Sequence, residues 1–164
     1  ELWELINFFI KEHPEIDFII KPHPTDELID WYGQLVRDFN QPNLKIIKRE
    51  KLESFLPAID VGILIGEGST AGYLSILFGV PIIIVKNFLR ADILITVEDW
   101  NQDNGLLVAK QEKDLNHLIM QLLNDNNFKK QTIEKEQWFL DKSLLIRDGK
   151  TRERIMKAVE DLCK

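Results

Sequence analysis

A single cysteine in 164 residues, Cys163 beside the C-terminus, leaves no partner for an internal disulfide. That fits a reducing compartment. No apolar run approaches the ~20 residues that a membrane-spanning helix needs. The opening Glu1-Leu2-Trp3-Glu4 lacks the basic-then-apolar order of a secretory signal. Positive charge is also scarce: 21 Lys and Arg stand against 27 Asp and Glu, a formal net charge of −6. This speaks against a general binder of phosphate backbones, so no nucleic-acid partner is expected. One small anion held by a few local cations stays open. Internal repeats, low-complexity tracts and linkers are missing. There is no Walker A loop, no GxGxxG fingerprint, no GxSxG elbow and no Cys/His cluster with zinc spacing. Neither a metal nor a cofactor is expected.

What is present reads as one domain over residues 1–164, long enough to bury a sizeable core. The first residue is not Met, so a piece of a longer protein is expected. Leu2, Leu5, Ile6, Phe9 and Ile10 follow the i, i+3, i+4 spacing of an amphipathic helix that Pro14 ends. A strand is predicted at 17–21, then a helix at 25–39 and an alternating, edge-like strand at 44–48. Residues 52–59 form a short helix that tolerates Pro57 poorly. A third strand follows at 61–65, and an almost wholly apolar helix from Ser69 to Phe78 that Gly79 stops. The fourth strand is Val80-Pro81-Ile82-Ile83-Ile84-Val85. The stretch 93–97 fits strand and helix equally. A fifth strand at 106–109 leads to the stripe Leu115, Leu118, Ile119, Leu122, Leu123, and helices near 127–142 and 151–162 close the chain.

Strands alternating with helices define an α/β fold with a doubly wound parallel sheet. Its expected strand order within this chain is 2-1-3-4-5, with or without an outside strand between the first and third. Ile63, Ile65, Leu77, Ile83 and Ile84 are the expected core. In such sheets ligands sit beyond the carboxyl ends of the strands, where strand order reverses.

Two loops belong at that edge. The first, Lys21-Pro22-His23-Pro24, leaves the first strand on a stiff backbone, because Pro22 fixes its own φ and Pro24 holds His23 extended. The imidazole is placed to bind a phosphate oxygen or to move a proton near neutral pH, and Lys21 can pair with an anion. A plain turn histidine, with Thr25 capping the next helix, is the alternative. The second loop is Gly66-Glu67-Gly68-Ser69-Thr70. Its glycines allow close backbone approach, its hydroxyls donate, and the following helix offers free N–H groups and a positive dipole end. Glu67 would repel a phosphate, so it reads as a base, a hydroxyl-binding group or a solvated turn carboxylate. A capped glycine turn with no ligand remains the plainer alternative. His13 reads as a surface cap and His117 as a helix rim. Lys86 and Arg90 read as a solvated face with the option of adding positive charge at the ligand edge.

Lys21-Pro22-His23-Pro24, Asp60 through Thr70, and Phe78-Gly79-Val80-Pro81-Ile82-Ile83 together resemble the C-terminal, Rossmann-like domain of GT-B-fold transferases. The pattern is most similar to the group of CDP-glycerol glycerophosphotransferases and capsular polysaccharide transferases, and is related to UDP-N-acetylglucosamine 2-epimerases. Glu67, Gly68, Ser69 and Thr70 match that group's acidic residue, spacer and two hydroxyl residues; Gly79-Val80-Pro81 matches its turn into an apolar strand. Asp148-Gly149-Lys150 and Glu153-Arg154-Ile155 resemble its C-terminal segment. Many GT-B proteins carry a carboxylate five residues before that turn glycine, where this chain has Leu74.

The resemblance implies a donor-binding glycosyltransferase or glycerophosphotransferase domain, inactive alone, in cell-wall or polysaccharide biosynthesis. Lys21, His23, Gly66, Gly68, Ser69 and Thr70 would bind a CDP- or UDP-linked donor, with His23 and Glu67 as the catalytic pair. A polymer or lipid-linked acceptor would come through an N-terminal domain, in a cytoplasmic protein with membrane-peripheral association open. A nucleotide-sugar epimerase and a non-catalytic α/β binding module are the rival readings.

Overall fold

The computed structural model describes residues 2–23, 29–65, 70–85, 101–143 and 149–162. Helix α1 (Leu2–Glu12) leads to strand β1 (Phe18–Ile20), α2 (Ile29–Phe39) and β2 (Leu44–Ile46). Then come β3 (Gly62–Ile65), α3 (Thr70–Leu77), β4 (Ile82–Val85) and β5 (Leu107–Ala109). Helices α4 (Glu112–Asn124), α5 (Asn126–Ser143) and α6 (Thr151–Leu162) complete the described chain. Residues 52–59 form two 3-10 turns, Leu52–Ser54 and Leu56–Ala58, rather than one helix. Pro57 near the start of the second turn explains this, since it lacks the N–H that a continuous helix would use. The ambiguous stretch 93–97 lies outside the described residues.

All strand pairs are parallel. β1 pairs with β2, Phe18 opposite Leu44 and Ile20 opposite Ile46. β4 pairs with β3 on one side, Ile63 opposite Ile83, and with β5 on the other, Ile84 opposite Val108. The predicted single order 2-1-3-4-5 is therefore corrected to two sheets, β1-β2 and β3-β4-β5; among the described residues no ladder joins β1 to β3. Apolar periodicity tells which faces of a strand are buried. It does not tell which of two apolar strands is its neighbour.

β4 is the centre of the molecule. Its four side chains are fully buried and alternate between two cores, as a period of two requires. Ile83 and Val85 face Phe9 of α1 and Leu115, Ile119 and Leu122 of α4. Ile82 and Ile84 face Ile76 of α3 and Phe139 and Leu140 of α5. Helices thus cover both faces, which is why β4 reads as an unbroken apolar run. Burying each isoleucine contributes about 1.5–3 kcal/mol. β1 joins the first core through Phe18, whose ring meets Phe9 edge-on at 5.6 Å.

Three expected core residues are not in the core. Ile63 is 39% exposed, Ile65 41% and Leu77 53%. Ile63 and Ile65 share a face with Ile83 and Val85 by register, but β3 is a sheet edge in the described structure, beyond the helices that cover β4. Leu77 is the last residue of α3 and turns away from its buried neighbour Ile76. Helix α3 accordingly buries one side, with Gly72, Ser75 and Ile76 inward, rather than its whole circumference. Gly79 ends the helix as expected, in the left-handed region at φ 74°.

Candidate functional site

The first predicted loop begins where β1 ends, and the described residues carry it as far as His23. Pro22 is buried and His23 exposed. Lys21 is half-buried, and its ammonium donates to the carbonyls of Pro22 at 3.2 Å and Lys48 at 3.5 Å. It therefore links the exits of β1 and β2, whose ladder is extended by the Ile47 amide bonding the Ile20 carbonyl at 3.0 Å. Lys48 in turn meets Asp30 of α2 at 3.3 Å. Lys21 and the exposed His23 thus lie beyond the carboxyl end of β1, while the Lys48 ammonium beyond β2 is paired with Asp30.

Of the second loop, Gly66, Glu67, Gly68 and Ser69 lie outside the described residues. Thr70 is exposed as the first residue of α3, directly following the loop that leaves β3. The helix start there presents N–H groups with no partner inside the helix, with the positive end of its dipole. Lys86 and Arg90 also lie outside the described residues. His13, expected as a surface cap, is half-buried: its Nδ1 lies 3.0 Å from Glu15 Oε1 and its ring 4.5 Å from that of Phe9. The Glu15 carboxyl is held below its ordinary range by a backbone hydrogen bond and by His13. His117 is exposed on α4.

The sequence reading passed over Glu136 and Trp138, both on α5. Glu136 is 1% exposed, and its Oε1 accepts the Ile82 amide at 2.9 Å, anchoring the start of β4. Burial pushes its pKa up to about 8, against a smaller downward pull from that amide. The carboxyl is thus mostly the neutral acid at pH 7. A signal was available: Thr132, Glu136, Phe139 and Leu140 are the buried stripe of α5, so Glu136 stands where an apolar residue belongs. Trp138 is 56% exposed on the same helix.

No family profile matches the sequence. No curated protein matches it either. Solved structures do match in shape. The C-terminal CMP-Kdo binding domain of WaaA from Acinetobacter baumannii superposes with a TM-score of 0.63 at 12% identity, over 84% of this chain and 80% of that one. The GtfA/B complex superposes at 0.60 and 13% identity over 97% of this chain. The present chain spans 33% of that larger protein. At such identities the likeness is one of fold alone: a Rossmann-like α/β domain, the fold that the resemblance to GT-B transferases implies. Neither is a CDP-glycerol transferase, so the GT-B half of the resemblance is met at the level of fold and the narrower group is not. No described helix is long and apolar enough to cross a membrane.

Proposed function

We propose that this chain is the donor-binding domain of a transferase that uses a nucleotide-activated sugar or polyol phosphate, in synthesis of a surface or cell-wall polymer. The observation that carries the proposal is the superposition on a CMP-Kdo binding domain over 84% of the chain. Lys21 and His23, beyond the carboxyl end of β1, support it. Lys21 spends two of its three N–H donors on carbonyls, leaving one for a phosphate oxygen. His23, exposed beside it, adds a second donor. On the β3 side, the backbone amides of Gly66 and Gly68, the hydroxyls of Ser69 and Thr70 and the α3 dipole would hold the rest of the anion. Glu67 would act as base toward an acceptor hydroxyl, supplied with its polymer or lipid carrier by a partner domain. The narrower assignment, a CDP-linked polyol phosphate donor, rests on the Lys21–Pro24, Asp60–Thr70 and Gly79–Pro81 motifs.

Titration calorimetry of the chain with CMP, CDP and UDP tests the site. Ser69→Ala and His23→Ala should each weaken binding of the preferred nucleotide about ten- to a hundredfold, the worth of one hydrogen bond to a charged oxygen, roughly 1.5–3 kcal/mol. Glu67→Gln should bind as well or better, having lost a negative charge near the phosphates, while turnover falls in the longer protein the proposal requires. Absence of binding for all three nucleotides at millimolar concentration, in that longer protein as well, would sink the proposal.

A further inference from the structure

β1 and β3 each leave one side without a ladder, and both strands border a common core. Phe18 of β1 and Val61, just before β3, pack around the cluster that holds Phe9, Ile83 and Val85. Among the described residues no ladder joins the two strands. The bonds already made fix which backbone groups face the gap. The Phe18 amide donates to the Asn43 carbonyl at 2.7 Å, and the Ile20 carbonyl accepts the Ile47 amide at 3.0 Å. Both residues therefore face β2, and the N–H and C=O of Ile19 between them face away from it. The Gly62 amide donates to the Pro81 carbonyl at 2.8 Å, toward β4, which turns the backbone groups of Ile63 and Ile65 toward the open side.

These same residues are the exposed ones of their strands, Ile19 with Ile63 and Ile65. Ile19 points to the face opposite Phe18, while Ile63 and Ile65 share the face of Ile83 and Val85 by register. Apolar surface is thus open on both faces of the gap, as it would be beside a missing strand. A true sheet edge is normally blunted by a charge, a proline or a bulge. Phe18–Ile20 and Gly62–Ile65 carry no charge and no proline, and their registers run without a bulge.

We infer that the gap between β1 and β3 is an acceptor groove for one further parallel strand, an apolar segment of the same polypeptide that leads directly into α1. Connectivity selects this occupant. The Asn43 side-chain amide ties down the carbonyls of Ile10, His13 and Ile16, and so holds the turn that brings α1 back along β1. A strand entering α1 at its amino end therefore runs parallel to β1 and beside it, as in a strand–helix–strand unit. One side of β1 is taken by β2, so the strand belongs on the open side. A second copy related by a two-fold axis would pair edge to edge and antiparallel, and could not fill both sides of one gap. With the strand in place the order becomes β2-β1-new strand-β3-β4-β5, one continuous sheet whose order reverses between the new strand and β3. The turn from that strand into α1 then falls between Lys21–His23 and Thr70 and completes the site proposed above. This consequence rests on the donor-binding reading; the strand itself does not.

Amide hydrogen exchange, read residue by residue in ¹H–¹⁵N spectra, tests the groove on two proteins. One is this chain; the other is the same chain extended by the ~20 residues encoded before Glu1, enough for one strand and its turn. In this chain the amides of Ile19, Ile63 and Ile65 should exchange freely, while those of Phe18, Ile20 and Leu64, which face ladders, are slowed. In the extended chain the free amides should slow by at least about a hundredfold and show contacts to the added residues. Ile63→Lys, which puts a charge on the open edge, should shift the melting temperature of this chain by under ~2 °C. In the extended chain it should cancel most of the added protection at Ile19. Protection of Ile19, Ile63 and Ile65 in this chain overturns the inference: at every concentration it means that the chain closes its own gap, and only at high concentration that a second copy does. An extended chain in which they still exchange freely overturns it as well. No nucleotide enters these measurements, so the groove and the donor site stand or fall separately.

Discussion

Glu136→Gln should change how stability depends on pH, and the size and sign of the change can be worked from the fold. The carboxyl has an ordinary pKa of 4.5 and is pushed up to about 8 by burial behind β4. Between those values the unfolded chain releases a proton that the folded chain keeps, so folding takes one up. This group's contribution to stability is complete below pH 4.5, declines as pH rises, and is lost once pH passes about 8. At ~1.4 kcal/mol for each pH unit between the two values, the whole span is on the order of 3–5 kcal/mol. Glutamine keeps an oxygen to accept the Ile82 amide and carries no titrating proton. Its variant should match the parent within about 1 kcal/mol at pH 5 and exceed it by about 2–4 kcal/mol at pH 8. Urea unfolding followed by circular dichroism at pH 5, 6, 7 and 8 measures this difference directly, because the other carboxylates cancel between the two proteins. A difference that stays constant from pH 5 to 8 would refute the reasoning, and would mean that water or rearrangement solvates the ionised carboxylate.

Ile83→Ala should cost about 2–5 kcal/mol in the same assay, whereas Ile63→Ala, its register partner on the exposed edge, should cost under ~1 kcal/mol. Equal losses would contradict the edge position of β3. Asn43→Ala should cost about 1–3 kcal/mol, because its buried amide shares two hydrogens among the carbonyls of Ile10, His13 and Ile16 at 2.9–3.3 Å. An unchanged melting temperature would show that water replaces it. Gly79→Ala should cost about 1 kcal/mol from backbone strain alone, since no atom lies within 4 Å of the added methyl. A loss several times larger would point to packing that the open surroundings exclude.

The elements were legible where a single local rule decides them. Pro14 and Gly79 punctuate helices, the stripe of Leu115, Ile119 and Leu122 names a helix face, and Ile82–Val85 can only be a strand buried on both sides. Long-range placement was not legible. Ile63 and Ile65 have the same side chains as Ile83 and Ile84, and only the set of neighbours makes one pair exposed and the other buried. Of the candidate site, the cationic half was visible in Lys21-Pro22-His23-Pro24, because prolines restrict the backbone wherever they occur. That Lys21 would brace two strand exits through the Lys48 carbonyl was invisible, being a contact across 27 residues. Glu136 was hidden for a related reason: a charged letter in a charged helix looks solvated until its stripe is traced through to Phe139 and Leu140.

The break between the two sheets gives the molecule two units able to open separately. Strand β4, paired on both sides and buried in both cores, should exchange its amides with solvent only when the whole domain unfolds. Among the described residues β1, β2 and α2 share no ladder with that unit and meet it through contacts such as that of the Phe9 and Phe18 rings, so they should exchange by a smaller opening of lower free energy. Lys21 and His23 ride on the looser unit and Thr70 on the tighter one. Any anion that bridges them would therefore act as a clasp, and its binding energy would appear as slower exchange at Phe18–Ile20 and Leu44–Ile46 while β4 changes little.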